Sequence, residues 1–268
     1  MKLLSIIIIE YLSLDEIKNC LEKIATHLNN IDYEVIVSSN SLYDIHTQEN
    51  IEKKYSGIQW RFNKENGGFA YGMNEGLKYA QGKYLAILNP DVIICNNLNP
   101  IIDFMEENPF VGAIAPQIID EKGNIQDSCR PYVTLPRFIW RQIKRIFLRK
   151  DSVLQPHFDY SKIQTVDWLI GAFILVSRTA YKATGGLNSN FFMYAEDIDW
   201  CTRIRECGYE IVYFPKVQIK YKGSRSARNS SKYAKIFLKS HIGYWRKYGL
   251  IWVLPKRRNI KFQSSINN

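Results

Sequence analysis

The first ninety residues alternate between short apolar runs and amphipathic segments, and this alternation constrains the fold more than any other feature. Leu3–Ile9 is almost wholly apolar and β-branched, which is typical of a strand buried on both faces of a parallel sheet. Further strands are predicted near residues 33–37, 58–62 and 84–88. Strands separated by helices indicate a doubly wound α/β sheet with helices on both faces, whose ligands bind beyond the carboxyl ends of the strands.

The helices of this alternation are predicted from capping signals and from the spacing of apolar residues. Ser13 and Glu16 have the spacing of a capping box, and Ile17 and Ile24 follow at helical intervals. A second helix is predicted to follow Asn66-Gly-Gly68 and to end before Gly82. The segment between the second and third strands is polar, and no element is predicted there.

The second half of the chain is less regular. Strands are predicted at residues 111–119, 167–176, 211–214 and 217–221. Helices are predicted at residues 196–207 and 231–248.

Charge and cysteine content narrow the class of protein. The chain has 36 basic and 26 acidic residues, a formal net charge of +10, which favours anionic partners such as nucleotide phosphates or acidic lipids. No helix-turn-helix, zinc-finger or RNA-recognition pattern accompanies this charge, so no nucleic-acid partner is expected. The five scattered cysteines form no Cys-x-x-Cys pair, which argues against a zinc site and fits reduced thiols in a cytoplasmic protein.

Targeting signals are weak. The N-terminal apolar run stops at Glu10 with no small-residue cleavage site after it, so a secreted protein is not expected. No apolar run approaches the length of about 18 residues that suggests a membrane span.

The segment Leu88-Asn-Pro-Asp91 lies where the fourth strand is predicted to end. Pro90 stops the strand and fixes a turn, which directs Asp91 to the rim of the sheet. An aspartate there can bind a divalent cation, with water and substrate phosphates completing the coordination. Taken alone, these three residues are more often an ordinary turn without function.

The segment from Asn66 to Gly76 is rich in glycine and opens a helix. Its glycines lack the spacing of the dinucleotide-binding fingerprint. Glycines at a helix start either let backbone amides approach a phosphate or let the helix pack closely on the sheet, and this segment alone does not separate the two alternatives.

Tyr194-Ala-Glu-Asp-Ile-Asp199 places three carboxylates in the first turn of a predicted helix, directly after an aromatic-rich loop. Acids at a helix start complement the helix dipole, which is a sufficient structural reason for them. The aromatic loop instead indicates the wall of a pocket, where one carboxylate acts as a general base towards a hydroxyl group. The four histidines share no metal-ligand spacing, and neither a Gly-x-Ser-x-Gly nor a P-loop motif is present.

Taken together and in order, these segments resemble the family-2 glycosyltransferases, specifically their rhamnosyltransferase-like branch. The resemblance extends from residue 3 to about residue 248, and four stretches carry it, at residues 66–76, 88–91, 166–173 and 185–199. It implies an α/β fold of the GT-A type, with a mostly parallel central sheet and C-terminal helices on the acceptor side. It also implies an inverting transfer of a sugar from a nucleoside diphosphate.

The resemblance implies roles for individual residues. Asp197 matches the general base, with Glu196 beside it as a second catalytic acid, and Asp91 matches the acid that binds the metal and the diphosphate. The other implied donor-binding residues are Ser39, Asn40, Asn66, Gly68, Asn74 and Asn89. The implied acceptor-binding residues are Gly171, Ala172, Tyr194 and Asp199.

The chemistry of an inverting displacement agrees with these roles. It needs a carboxylate beside the acceptor hydroxyl and a cation beside the departing diphosphate, so Asp197 and Asp91 are expected to face one another across a cleft. Mg²⁺ or Mn²⁺ is the implied cofactor. The helix start is expected to keep Asp197 ionised at neutral pH.

The chain departs from the family pattern at three places. Tyr11-Leu12 replaces the usual Tyr-Asn after the first strand. Ser39 stands where an aspartate commonly contacts the pyrimidine base, which leaves the choice between uracil and thymine open. Tyr221 replaces a late histidine that often completes metal ligation. Because tyrosine is a poor magnesium ligand, the diphosphate charge is expected to be shared by a nearby cation, for which the candidates are Lys220, Lys222 and Arg225.

Residues 135–150 interleave basic and aromatic or aliphatic side chains. Acceptors in this branch are often lipid-linked saccharides at the inner face of the cell membrane, and a cationic amphipathic helix can lie on such an anionic surface. A solvated helix that covers the core explains the same pattern equally well.

The predicted function is therefore that of an inverting glycosyltransferase in surface polysaccharide synthesis. It would move a sugar, for which rhamnose is a candidate, from a dTDP- or UDP-linked donor to a saccharide or lipid-linked acceptor. The alternative is a non-catalytic relative that binds a nucleotide-sugar as a scaffold, which Ser39 and Tyr221 favour and Asp91 and Asp197 oppose. One domain is expected over residues 1–248, with a nucleotide-binding half (1–95), an acceptor-binding half (96–230), a terminal helix (231–248) and then a basic tail (249–268).

Overall fold

The computed structural model describes residues 2–148, 154–155, 158–221, 223 and 231–250. Its strands are β1 (Leu4–Glu10), β2 (Tyr33–Ser39), β3 (Gln59–Phe62), β4 (Tyr84–Leu88), β5 (Val92–Ile94), β6 (Val111–Ile119), β7 (Cys129–Arg130), β8 (Gln164–Thr165), β9 (Trp168–Leu169), β10 (Phe173–Ser177) and β11 (Glu210–Tyr221). Its helices are α1 (Leu14–His27), α2 (Ile45–Lys54), α3 (Gly68–Leu77), α4 (Asn99–Glu107), α5 (Leu135–Leu148), α6 (Arg178–Thr184), α7 (Glu196–Glu206) and α8 (Ser231–Tyr248).

A mixed central sheet has the strand order β3-β2-β1-β4-β10-β6-β11-β5. The first four strands of this order are parallel, as the alternation of strands and helices predicts, and β6 and β11 form another parallel pair. β10 lies between β4 and β6 and is antiparallel to both. The carboxyl ends of β1, β2 and β4 therefore lie along one edge, where β10 begins.

Helices cover both faces of the sheet because each strand alternates its side chains between two cores. Ile6 and Ile8 point into the core that α1, α2 and α4 cover, and Ile7 and Ile9 point into the core beneath α3, α6, α7 and α8. α3 approaches β1 closely, since a Cβ atom at Gly72 would lie 2.3 Å from Ile9 Cδ1. Glycine is therefore needed there for close helix–sheet packing, one of the two alternatives for this segment.

The structure corrects several sequence-based predictions of local structure. Ser13 is the N-cap of α1, but its side chain makes no capping hydrogen bond and instead accepts one from the Tyr11 N–H at 3.3 Å. The polar segment after β2 contains α2, which Asp44 caps through the Thr47 N–H at 2.8 Å. Another helix that the sequence analysis does not predict, α4, begins with Pro in its first turn.

Two strand predictions also change. The apolar run at residues 167–176 is not one strand, because the chain leaves β9 after Leu169 and β10 begins only at Phe173. The two strands predicted at the end of the sheet are one long strand, β11, whose register shifts between Phe214 and Gln218.

α5 and α8 pack against one another beside the sheet. Phe138 of α5 contacts the rings of Phe237, His241 and Trp245 of α8, with centroid separations of 5.1 to 5.8 Å. None of the helices in the described ranges is both long and apolar enough to cross a membrane.

Candidate functional site

The carboxyl end of β4 carries the Asn-Pro-Asp turn that the sequence analysis identifies. Asn89 donates its backbone N–H to the carbonyl oxygen of Ala172 over 3.0 Å. Its side-chain amide donates to the hydroxyl of Tyr221 over 2.9 Å. The turn is therefore held from two sides, by the residues that lead into β10 and by the end of β11.

Asp91 lies at this edge and is partly buried. The backbone N–H of Gly223 faces its carboxylate and acts to lower its pKa. Burial raises the pKa of Asp91, and the negative charge of Glu16 in the first turn of α1 raises this pKa further. Two carboxylates that repel one another form a site that a cation would stabilise.

Asp197 lies in the first turn of α7. Its carboxylate accepts hydrogen bonds from the backbone N–H groups of Gly171 at 3.0 Å and of Ile198 at 2.8 Å. Gly171 directly precedes Ala172, the residue that is bonded to Asn89. Two consecutive residues thus connect Asp197 to the turn that carries Asp91.

The hydroxyl group of Tyr221 lies within electrostatic range of both acids. Burial raises the pKa of Tyr221, and the charges of Asp91 and Asp197 raise it further. The phenol therefore stays protonated at neutral pH, so it offers a cation no phenolate oxygen as a ligand. The structure thus brings Asn89, Asp91 and Asp197 to one edge of the sheet, around Tyr221.

The two adjacent carboxylates at the start of α7 differ in their hydrogen bonding. Glu196 is buried, and its Oε2 has no hydrogen-bond partner among the described residues. Burial and the charge of Asp197 raise the pKa of Glu196 well above its ordinary value. Burial raises the pKa of Asp197 as well, but the N–H groups of Gly171 and Ile198 and the charge of Arg130 oppose that effect. A proton shared by the pair therefore favours Glu196 and leaves Asp197 as the ionised member.

The sequence analysis expects Asp197 to be ionised because it lies at the start of a helix. In the structure its pKa depends on burial, on two backbone N–H groups and on the charge of Arg130. The helix start does not outweigh burial, since the pKa of Asp197 is raised rather than lowered. Two directed backbone donors favour the ionised form: Gly171, which is remote in sequence, and Ile198, the next residue of the helix.

Backbone strain precedes these acids. Tyr194 and Ala195 both have left-handed backbone angles, with φ of +69° and +67°. Each such non-glycine residue costs about 1 kcal/mol or more, a cost that is typical of functional sites. The ring of Tyr194 packs edge-on against Phe237 of α8, with the ring centroids 5.3 Å apart. Packing of the aromatic loop that ends at Tyr194 therefore maintains the strained backbone before α7.

α3 is tied to the same loop. Gly68 has a φ of +88°, and a Cβ atom there would lie 2.0 Å from the carbonyl oxygen of Phe192, which accepts the Phe69 N–H at 2.7 Å. The Asn74 side chain donates to the carbonyl oxygen of Leu187 at 2.7 Å and accepts the Leu187 N–H at 2.9 Å. Gly68 and Asn74 are predicted to bind the donor. In the structure they hold the aromatic loop before α7 in place.

Ser39 lies in a polar cluster at the ends of β1 and β2. It pairs in register with Glu10, and its hydroxyl donates to the Glu10 carboxylate. Glu10 is fully buried and also accepts hydrogen bonds from the Ser41 and Tyr43 hydroxyls at 3.0 and 3.1 Å and from the Ser13 N–H at 2.9 Å. A carboxylate therefore stands beside Ser39, on the neighbouring strand.

The sequence analysis does not identify Glu10 as part of the site. Glu10 could have been found from the pairing of β1 with β2. The two parallel strands end together, and their register places residues 10 and 39 side by side.

Asn40 and Asn66 connect this cluster to α3. The side-chain amide of Asn40 donates to the carbonyl oxygen of Gly68 at 3.0 Å and to Asn66 Oδ1 at 3.4 Å, and its oxygen accepts from Asn63 at 2.8 Å. Four of the predicted donor-binding residues therefore form one connected polar edge from β2 to α3, namely Ser39, Asn40, Asn66 and Gly68.

Asp199 is set apart from the other predicted acceptor residues. It is fully buried, and its carboxylate accepts hydrogen bonds from Arg203 (2.7 Å), Lys247 (2.6 Å) and the Tyr248 hydroxyl (2.9 Å). These bonds join α7 to α8 and occupy both oxygens. They argue for a structural acid and against direct contact with an acceptor.

Arg130 on β7 is a second residue that the sequence analysis misses. It pairs across strands with Trp168, and its guanidinium group lies over the Trp168 ring, 5.2 Å from the centroid. Its charge reaches Asp197. Of the other cations considered at this edge, Lys220 is exposed on β11, and Lys222 and Arg225 lie outside the described residues.

The residues at the Asn-Pro-Asp turn suit a divalent cation with few protein ligands. Asp91 supplies a carboxylate beside the like charge of Glu16, and Asn89 retains its amide oxygen because only its NH₂ group bonds to Tyr221. In the described part of the chain, no cluster of three or more His, Cys, Asp or Glu side chains has the form of a metal centre. The donor set therefore fits Mg²⁺ or Mn²⁺ held by Asp91, with the remaining ligands from a diphosphate and water.

Comparisons with known proteins agree with this geometry. The chain is 28% identical over 202 residues to the N-acetylglucosaminyl-diphospho-decaprenol L-rhamnosyltransferase of Mycobacterium tuberculosis, a match that covers 68% of this chain and 65% of that protein. It is 28% identical over 224 residues to the rhamnosyltransferase WbbL of Escherichia coli, covering 78% of this chain and 80% of WbbL.

Solved structures share the fold. GalNAc-T7 with UDP, GalNAc and Mn²⁺ superposes with a TM-score of 0.63 at 12% identity, covering 82% of this chain and 43% of that one. The mannosyltransferase PcManGT from Pyrobaculum calidifontis, in complex with GDP-Man and Mn²⁺, has a TM-score of 0.59 at 18% identity, covering 92% and 65%. The predicted α/β fold of the GT-A type is thereby confirmed.

The resemblance stated from the sequence motifs is confirmed as well. The model of the Glycosyl transferase family 2 matches residues 5–167, which is more than half of the chain. With the two rhamnosyltransferases among its relatives, the chain belongs to glycosyltransferase family 2, in its rhamnosyltransferase-like branch.

Proposed function

We propose that the chain is an inverting glycosyltransferase with Asp197 as its general base and Asp91 at the diphosphate of the donor. One observation carries the proposal. Gly171 and Ala172 bond to Asp197 and to Asn89, so the base and the donor-side turn share one short stretch of backbone. This link supports a site in which the two acids act on opposite sides of one anomeric carbon, as an in-line displacement requires.

On the acceptor side, Asp197 takes the proton of the acceptor hydroxyl as its oxygen attacks the anomeric carbon. The bond from that carbon to the diphosphate breaks, and the nucleoside diphosphate leaves with the electron pair. The backbone N–H groups of Gly171 and Ile198 hold the carboxylate at a fixed orientation. Glu196, with its raised pKa, keeps a proton beside the base and so limits repulsion in the pair.

On the donor side, Asp91 and the oxygen of Asn89 would hold a divalent cation. A bound Mg²⁺ or Mn²⁺ ion stabilises the negative charge of a leaving diphosphate. Ser39 and Asn40 lie at the strand end where the nucleotide base is proposed to bind. Because Glu10 supplies the carboxylate beside Ser39, both uracil and thymine remain candidates for the base.

The relatives support a finer proposal for substrates. The name of the mycobacterial relative describes transfer of L-rhamnose to a saccharide on a diphospholipid carrier. We extend this to the present chain as a dTDP- or UDP-linked rhamnose donor and a lipid-linked saccharide acceptor in surface polysaccharide synthesis. Residues 1–95 would bind the donor and residues 96–230 the acceptor, and the helix at residues 231–248 would support them. The tail at residues 249–268 falls largely outside the described residues.

α5 supports a position on the inner face of an anionic membrane. Phe147 is 82% exposed and Trp140 is 60% exposed, and with Ile139 and Ile143 they lie on one side of the helix. At helical spacing, Arg137 and Arg141 lie on another side of the same helix. Such an arrangement is typical of interfacial helices. Flotation with vesicles that contain phosphatidylglycerol should carry the protein upward, and flotation with neutral vesicles should not.

The decisive test of the enzymatic proposal is release of nucleoside diphosphate from dTDP-rhamnose and from UDP-sugars, with and without Mg²⁺. The wild-type protein should release it, and Asp197→Asn should lower the rate by about 10²–10⁴-fold. Equal background release by both proteins would instead favour the non-catalytic scaffold.

A further inference from the structure

We propose that the outer side of α8 binds the head groups of an anionic bilayer and completes the docking face that α5 begins. This side is formed by Lys235, Leu238, Lys239, Ile242 and Arg246. The inference rests on the membrane position proposed above and deepens it. α5 exposes apolar side chains, whereas its Arg137 and Arg141 lie on another side of that helix. Neither the sequence motifs nor the relatives give the outer side of α8 a role.

α5 and α8 are the most one-sidedly charged elements of the described structure. Four of the 14 residues of α5 and five of the 18 residues of α8 are basic, and neither helix contains Asp or Glu. The formal net charge of the whole chain is only +10. The surplus of positive charge is therefore strongly concentrated in two helices that pack against one another, and such a surface attracts an anionic partner.

The outer side of α8 interleaves exposed apolar and basic side chains. Leu238 is 51% exposed and Ile242 is 37% exposed. Spacings of three, four and seven residues place the exposed Lys235, Lys239 and Arg246 on the same side of the helix. None of these three cations forms an ion pair or a hydrogen bond with another described residue. Apolar side chains set among unpaired cations are typical of a helix that lies in a bilayer interface.

The opposite side of α8 is fixed to the protein. The Ser240 hydroxyl donates to the carbonyl oxygen of Met193 at 2.7 Å, and Trp245 Nε1 donates to the carbonyl oxygen of Val133 at 2.7 Å. Tyr244 between them is fully buried. The helix therefore presents its outer side in a fixed orientation, so that binding orders few groups that were free before.

α5 and α8 expose their apolar residues on the same side of the helix pair. The backbone N–H of the first residue of α5 donates to the carbonyl oxygen of Leu250, just past the end of α8, at 2.9 Å, and Phe138 farther along α5 contacts Phe237 near the start of α8. The helices therefore run in roughly opposite directions. In such a pair the residues next to the contact residues, Ile139 and Leu238, turn to the same side. The exposed apolar side of α5 thus continues into the outer side of α8.

The charges favour a bilayer over a second copy of this chain. Two copies that met through this face would bring two sets of unpaired cations together, and like charges that face one another are unfavourable. An anionic bilayer neutralises the cations and receives the apolar side chains at the same time. α8 also holds the aromatic loop before α7 through Ser240 and Phe237. Docking would therefore bring that loop close to the bilayer that carries a lipid-linked acceptor.

The test is flotation of the full chain with vesicles of phosphatidylglycerol and phosphatidylcholine in equal parts, over a series of lipid concentrations. A triple variant should bind about 10²-fold more weakly, at roughly fivefold for each cation lost. Its substitutions are Lys235→Gln, Lys239→Gln and Arg246→Gln. Leu238→Ser combined with Ile242→Ser should weaken binding by about tenfold, since apolar surface no longer enters the interface. All five side chains are exposed, so the melting temperatures should stay at the wild-type value.

The matched control removes three lysines from the helices that cover the other face of the sheet, with Lys23→Gln, Lys53→Gln and Lys54→Gln. These lysines are exposed on α1 and α2, and the change in net charge is the same. The control should bind within about twofold of the wild type, because distant charges are screened. Equal losses in the two triple variants would mean that net charge alone drives binding and would overturn the proposal. Equally tight binding of the wild type to pure phosphatidylcholine vesicles would overturn it too.

Other occupants of this face are separated by further variants. If Phe147→Ser on α5 abolished vesicle binding while the α8 triple variant bound fully, α5 would dock alone and the proposal would fail. Sedimentation of the lipid-free protein should show a monomer. A dimer that Leu238→Ser dissociates would instead assign the face to a second copy.

Vesicle binding does not require turnover. A protein that floats through α8 but releases no nucleoside diphosphate would contradict the enzymatic proposal alone. Sugar transfer by a protein that binds no anionic vesicles would contradict the docking proposal alone.

Discussion

Two buried glutamates, Glu10 and Glu196, show how differently the donor side and the acceptor side of this molecule treat a negative charge. Glu10 is fully buried, and four donors surround its carboxylate. Glu196 is buried next to a second acid, and its Oε2 has no partner in the described part of the chain. The Glu10 carboxylate stabilises the strand ends. The charged form of Glu196, beside the proposed base, is instead destabilised by its burial.

The comparison shows which of the two regions is stabilised by hydrogen bonds to a buried carboxylate and which is not. Hydrogen bonds to a buried carboxylate contribute to stability, whereas burial without them destabilises the charged form. The strand ends around Glu10 are therefore held by hydrogen bonds, and the start of α7 contains unfavourable features, among them the left-handed Tyr194 and Ala195, beside the proposed base.

The largest effect is expected at the donor-side acid. Asp91→Asn should lower sugar transfer by about 10³-fold, about 4 kcal/mol of transition-state stabilisation, because the charge that holds the cation and its diphosphate is lost. Steady-state rates at several Mg²⁺ concentrations check this. Asp103→Asn, an exposed aspartate on α4, is the control and should transfer at the wild-type rate. A fully active Asp91→Asn protein would exclude Asp91 from catalysis.

The next effect is on stability. Glu10→Gln should lower the free energy of unfolding by about 2 kcal/mol, since hydrogen bonds to a charged acceptor are replaced by weaker ones and one donor is left facing an NH₂ group. Urea unfolding at pH 7 measures the change. An unchanged midpoint would show that the cluster around Ser39 does not depend on the carboxylate.

The same substitution at the other glutamate should act in the opposite direction. The folded state raises the pKa of Glu196, so folding is penalised wherever the unfolded glutamate is ionised, above a pH of about 4.5. Glu196→Gln removes this penalty and should raise the melting temperature at pH 7, by roughly 2–4 °C for each kcal/mol regained. The gain should shrink as the pH falls through 4.5, because below that pH Glu196 is protonated in both the folded and the unfolded wild-type protein. A gain that is independent of pH would mean that charge is not its cause.

The smallest effect is expected at Tyr221. Tyr221→Phe removes the hydrogen bond to Asn89 and should cost about 1 kcal/mol, seen as a reduction of about fivefold in transfer with little change in melting temperature. Tyr221→His serves as the contrasting variant and should strengthen Mn²⁺ binding, because imidazole is a metal ligand and a neutral phenol is a poor one. Equal metal affinity in both variants would show that position 221 does not face the cation.

The sequence alone predicts the donor half of the fold well. β4 at residues 84–88 and the terminal helix at 231–248 have the predicted bounds, because continuous apolar runs and helical spacing are local signals. The family resemblance also predicts that Asp91 and Asp197 face one another across a cleft, and this prediction and their catalytic roles stay predictions.

Features that depend on pairing between distant segments were not predictable in the same way. The break in the strand at residues 170–172 exists because Gly171 leaves the sheet to bond Asp197, and an apolar run gives no sign of that. Glu10 becomes the partner of Ser39 only through the register of β1 and β2, and Arg130 meets Arg141 only because both reach Asp127.

The link made by Gly171 and Ala172 has a consequence for how specificity can change in such a chain. A methyl group added at Gly171 would lie 3.5 Å from the Cβ atom of Asp197, an ordinary van der Waals contact, so only a larger side chain there would press on the proposed base. New acceptors are therefore more readily acquired by altering α5 and the aromatic loop, whose side chains can vary without disturbing this dipeptide. Selection can diversify the rim of the cleft while the shared backbone at its floor is inherited unchanged.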